Sequence, residues 1–318
     1  MRSTIRLASR RLVFVTGKGG VGKTTVAAAI ALAAAARGLR VLACEVTDDG
    51  DLGAALGGDP LVGEERQLAG TLWGMRVDPR RARDEWLHYR LPAPLAVLVA
   101  KSRIVDHLGA LAPGFEELLA VGKVWEVAQE RRISEGGQPY DVVVCDAPAS
   151  GHGLAMLGAP AAFREAAAVG PVRRHASRIE AFLSDPRATA IVCVANPEEL
   201  AVTEALETDA RLRRELGRGV DLAVVNGALR THLRSEDARR LEALHERLPR
   251  SAQAAATVAL AEHRRAADQR RQIARLRRAG LAVCSLPLLA TDGAATDGAA
   301  TDGTPLAALL RPRISRLL

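Results

Sequence analysis

The sequence predicts an α/β fold in which helices flank a mostly parallel sheet. Short apolar runs bounded by turn residues alternate with longer helical stretches, which is the pattern of parallel strands joined by helices. A chain of 318 residues can also bury the core of one large domain without help from disulfides. Seven apolar runs are predicted to be strands: residues 12–16, 40–45, 72–77, 141–146, 190–195, 222–226 and 281–286.

Three segments interrupt this alternation. Residues 81–132 have a mostly helical pattern broken at LAPGF, which predicts a helical subdomain inserted at 81–135 in a single domain spanning 1–318. Residues 235–278 predict a hairpin of Arg-rich helices, interpreted as a solvated amphipathic cover. Residues 291–304 repeat TDGAA and cannot bury apolar surface, so a flexible loop is expected there.

The basic charge of the chain does not by itself indicate a nucleic-acid partner. The formal net charge is +7, which an anionic partner would complement. However, the Arg residues lie among acidic residues along helical stretches, and only 3% of the chain is aromatic, so no base-stacking surface is marked. A solvated face accounts for the charge better, and nucleic acid is not expected as a partner.

The four cysteines indicate a reducing compartment. Each sits in an apolar run, as in VLACEV and VVVCDA, where a thiol behaves as a small hydrophobic side chain. None is spaced as CxxC, so neither zinc ligation nor dithiol redox chemistry is expected. Because the apolar runs are also too short to span a bilayer, the expected location is the cytoplasm.

A glycine-rich loop follows the first predicted strand and precedes an apolar helix. Residues 17–24 match GxxxxGK[ST], the phosphate-binding loop (P-loop) pattern, in the context that it requires. Glycines let backbone N–H groups surround a polyphosphate, Lys23 can reach the β and γ phosphates, and the Thr24 hydroxyl can bind Mg²⁺. The predicted ATP ligands of this loop are Gly17, Lys18, Gly19, Gly20, Val21, Gly22, Lys23, Thr24 and Thr25.

Lysine is scarce in this chain, and two lysines lie in this one loop. Only four of the 44 basic residues are Lys, which suggests that Lys18 and Lys23 serve a site needing a compact ammonium group. The loop KGGVGKTT resembles the deviant Walker A sequence of dimeric ATPases of the partition, septum-positioning and nitrogenase-iron-protein groups. That resemblance implies a sandwich dimer in which Lys18 acts catalytically at the partner's nucleotide. The alternative is that Lys18 is a solvated loop charge.

The fourth predicted strand ends in an acidic residue and is followed by a predicted Gly-His loop. In DVVVCDAPASGHGLAML, the carboxylate of Asp146 would face the water shell of Mg²⁺ from the neighbouring strand. This segment resembles DTAPTGHTLR, the switch II motif of the ArsA family, which comprises arsenite-pump ATPases and ATPases that target tail-anchored membrane proteins. The resemblance implies switch II roles for Asp146, Gly151 and His152. On the residues alone, the alternative is that His152 is a loop histidine without a role.

Three further stretches resemble the same family: APGFEELLAVGKVWE, IVCVANPEELAVTEAL and DLAVVNGAL. By this resemblance, Asn226 would bind the adenine edge of ATP, and backbone near Pro287 would cover the base. From the residues alone, Asn226 at a strand end could also be a turn residue. The likeness covers most of the chain and is weakest at the Arg-rich hairpin and the repeat.

Switch I departs from the family pattern. EVTDDGDL, residues 45–52, aligns with STDPAHSL and puts Thr47 where the water-orienting Asp is expected. Asp48 is the predicted substitute catalytic residue, with Asp49 and Asp51 as alternatives if the loop shifts. Slow hydrolysis is expected, because misplacing a catalytic group by one ångström can lower the rate by about 10²-fold.

The leading hypothesis is an ATP- and Mg²⁺-dependent dimeric switch, homodimeric or paired with an ArsA-like homologue, that grips or releases an anion or a membrane-protein segment. The cargo features of the family, such as a bridging Cys pair, are absent from the sequence, and LPAPLAVLVA at 91–100 could line a groove or belong to the core. A second hypothesis is a regulatory subunit that hydrolyses ATP poorly, and a weaker third is a positioning ATPase on DNA.

Overall fold

A computed structural model describes residues 7–46, 50–90, 114–132, 137–167, 169–230, 233–289 and 306–317. Within these ranges the strands form one sheet in the order β3-β4-β2-β5-β1-β6-β7-β8. All neighbouring strands are parallel except β3 and β4, which are antiparallel. The strands are β1 (Leu12–Gly17), β2 (Val41–Glu45), β3 (Arg66–Ala69), β4 (Leu72–Arg76), β5 (Val142–Asp146), β6 (Thr189–Ala195), β7 (Leu222–Ala228) and β8 (Val283–Pro287). The predicted fold class is confirmed.

Helices cover both faces of the sheet, as the alternating pattern predicts. Those in the described ranges are α1 (Lys23–Ala35), α2 (Leu52–Ala55), α3 (Pro79–Arg90), α4 (Phe115–Val127), α5 (Ser150–Ala166), α6 (Pro171–Ser184), α7 (Glu199–Glu215), α8 (Ser235–Leu244), α9 (Arg250–Arg278) and α10 (Leu306–Ile314). One core lies between the sheet and α1 with α10, and a second lies between the sheet and α4, α5, α6, α7 and α9.

The central strands are buried on both faces. Every residue of β1, β2, β5 and β6 is buried, because helices cover the sheet from each side. Helix α1, with the sequence KTTVAAAIALAAA, presents mainly methyl groups to the sheet, and its alanines 27, 28, 29 and 31 are fully buried. Small side chains let the axis of this helix approach the strands closely.

The predicted strands all exist, with ends that shift by two residues or fewer. The sequence prediction missed only β3 among the strands of the described ranges. Its four residues, RQLA, are mostly exposed, so the strand carries no apolar run from which to recognise it. It pairs antiparallel with β4 at one edge of the described sheet.

The helical segment between β4 and β5 contains α3 and α4, which pack against each other. Gly114 is the N-cap residue of α4 with φ 87°, so the predicted break at LAPGF coincides with the start of a helix. Residues 91–113 and 133–136 lie outside the described ranges, and so does the run 91–100. The boundaries of the inserted subdomain therefore stay a prediction.

Charged side chains tie α3 and α4 to the edge of the sheet. Lys123 Nζ of α4 lies 2.7 Å from Glu85 Oε2 of α3 and 3.1 Å from Glu126 Oε2. Arg132 forms an ion pair with Glu65, the residue before β3. Lys123, Glu126 and Arg132 are nearly buried, so this network joins two helices and an edge strand through desolvated charges.

The Arg-rich hairpin is present as predicted. Helix α8 is followed by a 3₁₀ turn at His245–Arg247, and α9 starts after Pro249. The TDGAA repeat at 291–304 lies outside the described ranges, and α10 follows it in sequence. No helix in the part of the chain that the structure describes has both the length and the apolar character needed to span a membrane.

Candidate functional site

The phosphate loop connects β1 to α1 at the carboxyl edge of the sheet. Gly17 has φ 147°, and a Cβ there would overlap the carbonyl oxygen of Val194 in the adjacent β6. Gly22 has φ 87° and is the N-cap residue of α1, where a Cβ would overlap the side-chain amide of Asn226. Glycine is therefore required at both ends of the loop, because the chain turns sharply and packs closely against two strands.

Asn226 supports the loop from β7. Its Nδ2 donates a hydrogen bond to the carbonyl oxygen of Val21 at 3.0 Å, although the two residues are 205 positions apart. Pro287 ends β8 at the same edge, where it pairs in register with Ala228 of β7. Asn226 thus contacts the phosphate loop and Pro287 lies at the same edge of the sheet, and the roles of both toward adenine stay predictions.

The structure brings Thr24 and Asp146 together. The Thr24 hydroxyl donates a hydrogen bond of 2.6 Å to Asp146 Oδ2, which joins the first turn of α1 to the end of β5. Asp146 is 4% exposed, and its second oxygen, Oδ1, has no hydrogen-bond partner in the described structure. Burial raises the pKa of Asp146 to about 6, although the Thr24 hydrogen bond and the nearby Lys23 charge oppose this shift.

Lys23 and Lys18 both form contacts within the chain. Lys23 Nζ donates to the carbonyl oxygen of Lys18 at 3.0 Å, so this side chain folds over the loop. Burial lowers the pKa of Lys23, and the charge of Asp146 opposes that effect. Lys18 Nζ lies 2.8 Å from Glu204 Oε1 of α7, and this ion pair is partly exposed. Two ammonium groups thus stand beside the carboxyl edge of the sheet.

Glu45 is a site residue that the sequence reasoning missed. It ends β2 and lies in register with Asp146 at the end of β5, with its side chain fully buried. Its Oε2 accepts a hydrogen bond of 3.0 Å from the Leu52 backbone, and Oε1 lies 3.5 Å from Arg76 Nε. Burial raises the pKa of Glu45 to about 7, and the Leu52 hydrogen bond and Arg76 oppose this shift.

The signal that identified Asp146 would also have identified Glu45. Both are acidic residues that close a buried apolar strand, and both strands end at the same edge of a parallel sheet. The family pattern of switch I concerns Thr47 and the aspartates after it, not the strand end itself. The site therefore holds two buried carboxyl groups where the sequence predicted one.

The Gly-His segment of switch II is helical in the structure. Gly151 and His152 lie in the first turn of α5, so the predicted Gly-His loop is wrong as a description of this segment. The physical reason is that Ala149 adopts φ −54° and ψ 154° and serves as the N-cap residue, so the helix begins at Ser150. The His152 ring is 79% exposed, and its Nδ1 lies 3.5 Å from Glu117 Oε1 of α4.

Switch I is described only in part. Thr47, Asp48 and Asp49 lie outside the described ranges, so the predicted catalytic role of Asp48 is not tested. Asp51 is described, exposed and the N-cap residue of α2. Because Leu52 is bonded to Glu45, the buried carboxyl group fixes the end of switch I where α2 begins.

These features define the class of protein. The site contains a glycine loop between a central parallel strand and a helix, with a lysine and a threonine in the first turn of that helix. It also contains a carboxylate on the neighbouring strand. Together these parts form the site of P-loop nucleoside triphosphatases. The sheet order and the parallel pairing of β1 with β5 and β6 agree with that fold.

Residues 10–169 match the sequence model of the ArsA ATPases, described as anion-transporting ATPases. The chain belongs to this family. ATPase BagA of Mycobacterium tuberculosis is 32% identical over 240 residues, which are 73% of this chain and 69% of that protein. An arsenical pump-driving ATPase of Escherichia coli is 33% identical over 208 residues, which are 64% of this chain and 32% of that protein. At the level of the family, the chain is an ATP-binding ATPase.

Proposed function

We propose that this chain binds ATP with Mg²⁺, hydrolyses it slowly and works in the cytoplasm as a dimeric switch that grips or releases a partner. The observation that carries the proposal is the hydrogen bond of 2.6 Å between Thr24 and Asp146. It brings a hydroxyl from the phosphate loop helix and a buried carboxylate from β5 to one point at the carboxyl edge of the sheet. Ligands bind at this edge in open parallel sheets.

The loop fits a triphosphate. Its N–H groups lie at the N-terminus of α1, where the helix dipole favours negative charge. Lys23 is the cation for the β and γ phosphates, and it is held over the loop by the Lys18 carbonyl oxygen at 3.0 Å. Gly19 and Gly20 have open space where a Cβ would be, so a phosphate can approach their backbone.

Thr24 and Asp146 also fit Mg²⁺. Hydroxyl and carboxylate oxygens are the ligands that Mg²⁺ prefers, and Asp146 Oδ1 has no hydrogen-bond partner among the described residues. Thr24 would hold the ion directly, and Asp146 would hold it through its water shell. When bound, Mg²⁺ neutralises charge on the β and γ phosphates. Glu45, buried beside Asp146, would hold the end of switch I close to this site through its hydrogen bond with the Leu52 backbone.

We assign catalysis to Lys18 acting on the nucleotide of the partner subunit. Its ammonium is partly exposed at the edge where two such subunits would face each other. A cation placed there stabilises charge that develops on the transferred phosphoryl group. The other subunit of the dimer is a second copy of this chain or a homologue. The cargo is an anion or a membrane-protein segment. The name of the arsenical pump-driving relative supports an anion.

A second candidate function is a regulatory subunit that binds ATP and hydrolyses it poorly. The observation in its favour is Thr47 at the position where the family pattern has a water-orienting Asp. ATP turnover of the purified chain, measured alone and after mixing with a homologue that carries this Asp, separates the two candidates. Strong turnover of the chain alone excludes the regulatory role.

The test of the proposed function is ATP binding by Lys23→Ala. We expect the affinity for ATP, measured by calorimetric titration with Mg²⁺, to fall by about 10- to 100-fold, because charge-assisted contacts to phosphate are lost. Arg214→Ala is the matched control, since it removes an exposed cation from the last turn of α7, and it should leave affinity unchanged. Equal affinity of wild type and Lys23→Ala would falsify the assignment of the loop.

A further inference from the structure

Both lysines of the phosphate loop are held by their own chain. Lys23 is bonded to the Lys18 carbonyl oxygen at 3.0 Å, and the Lys18 ammonium is paired with Glu204 at 2.8 Å. The proposed function requires each lysine elsewhere: Lys23 on a phosphate of its own nucleotide, and Lys18 on that of the partner. Each therefore has to leave its present contact when the active dimer forms.

Glu204 is well placed to control the second of these steps. It lies in the second turn of α7, which starts at the carboxyl edge of the sheet, and it meets Lys18 across 186 positions of sequence. Its Oε1 is bonded to Lys18, and its Oε2 is buried without a hydrogen-bond partner in the described structure. Among the residues that the structure describes, the hydrogen-bond partner of this carboxylate is the Lys18 ammonium.

We propose that Glu204 is a latch that holds Lys18 against its own subunit until the nucleotide of a second copy replaces it as the anion. This inference rests on the proposed role of Lys18 across a dimer interface. Glu204 is a positioning residue: it sets where the Lys18 ammonium lies before association, and it touches neither nucleotide. Its effect is to make dimer formation depend on nucleotide.

The strength of the contact suits this role. The two side chains are 44% and 34% exposed, and ion pairs of this kind change an equilibrium by about 1.4- to 5-fold. Charge-assisted contacts to phosphate are stronger, so a bound triphosphate in the facing subunit can displace Glu204. The latch therefore opposes association without nucleotide and yields when nucleotide is present.

The two lysines are also linked through one peptide unit. When a triphosphate takes the ammonium of Lys23, the carbonyl oxygen of Lys18 loses the donor that it has in this structure. Nucleotide in a subunit's own site therefore changes a contact of the residue that carries the latch ammonium.

The experiment measures dimer formation by Glu204→Gln. Sedimentation of the full chain is followed as a function of protein concentration with Mg²⁺ and a non-hydrolysable ATP analogue. Two latches open for each dimer, so we expect the dimer dissociation constant to fall by about 2- to 25-fold. ATP turnover should reach half of its maximum at a correspondingly lower protein concentration.

Two controls separate a latch from a general effect of charge or stability. Glu207→Gln removes an exposed carboxylate from the next turn of α7 and should leave the dissociation constant unchanged. In a Lys18→Met background, Glu204→Gln should have no effect on dimer formation, because the latch acts only through Lys18.

The outcomes distinguish this inference from the function on which it rests. If wild type dimerises with the analogue and Glu204→Gln does so equally or more weakly, the latch is wrong and the dimeric switch stands. If wild type stays monomeric at every concentration with the analogue bound, the dimeric switch is wrong and the latch with it. A shift that persists in the Lys18→Met background also overturns the latch.

Discussion

At the scale of single residues, the site is organised by buried carboxyl groups. Asp146 and Glu45 end neighbouring strands in register, and burial raises the pKa of both. For Asp146, the Thr24 hydrogen bond and the Lys23 charge oppose this rise in pKa. For Glu45, the hydrogen bond from the Leu52 backbone and the Arg76 charge oppose it. Without nucleotide, each carboxyl group is held in a place where its charged form is disfavoured, so the site itself destabilises the fold.

Glu45→Gln is predicted to change the pH dependence of stability. The pKa of Glu45 is about 7 in the fold against a reference value of 4.5, so the folded chain keeps this proton at pH values where the unfolded chain has lost it. Stability therefore falls as pH rises from about 4.5 to 7. The variant should be more stable than wild type by about 2–3 kcal/mol at pH 8, with no difference near pH 4.5.

This prediction is checked by urea unfolding of the nucleotide-free chain across that pH range. Glu64→Gln is the control, because it removes a carboxylate whose side chain is 70% exposed. A difference between Glu45→Gln and wild type that stays constant with pH would contradict the assigned shift.

At the scale of elements, the phosphate loop is positioned by the strands on either side of it. Gly17 packs against β6, and Gly22 packs against the side chain of Asn226 in β7. The loop therefore has its shape before any ligand binds, and that preorganisation favours affinity. Its contacts to β6 and β7 involve residues far apart in sequence.

Gly22→Ala is predicted to lower both stability and ATP affinity. Its φ of 87° costs a residue with a Cβ about 1–2 kcal/mol, and the added Cβ also displaces the Asn226 amide. Gly38→Ala is the matched control: its φ is 82°, with open space around the position of a Cβ. Urea unfolding should show a loss for both variants, larger for Gly22→Ala, and only Gly22→Ala should bind ATP more weakly. Equal losses would mean that the Asn226 contact is unimportant.

At the scale of the whole molecule, charged side chains connect the helical segment to the sheet. Lys123 joins α3 to α4, and Arg132 joins the end of that segment to Glu65 beside β3. Such desolvated ion pairs fix geometry, because a wrong arrangement would leave a buried charge without a partner. Movements of this segment should therefore be transmitted to the β3–β4 edge.

Lys123→Ala is predicted to destabilise the fold by about 3 kcal/mol, because it leaves Glu126, 10% exposed, without this cation. Glu236→Gln breaks the exposed pair with Arg240 in α8 and should cost less than about 1 kcal/mol. Thermal or urea unfolding compares the two. Similar small losses in both variants would show that the Lys123 pairs contribute little.

The sequence determines the parallel sheet and the phosphate loop more clearly than the contacts around them. The loop has a local pattern, and the central strands are apolar runs, so both were predicted. β3 has no such run, and the Asn226 and Lys18 contacts join residues 205 and 186 positions apart, which no local pattern reports. The helical start of switch II depends on the conformation of Ala149, which propensity does not fix.

The alanines of α1 influence how close this helix lies to the sheet. Buried methyl groups at residues 27, 28, 29 and 31 let this helix pack closely on its neighbours, the sheet and α10, and the Thr24 hydroxyl in its first turn lies 2.6 Å from Asp146. A bulkier side chain at one of these positions would lift the helix from the sheet and widen that gap. The distance between Thr24 and Asp146 thus depends on the smallest side chains of the core.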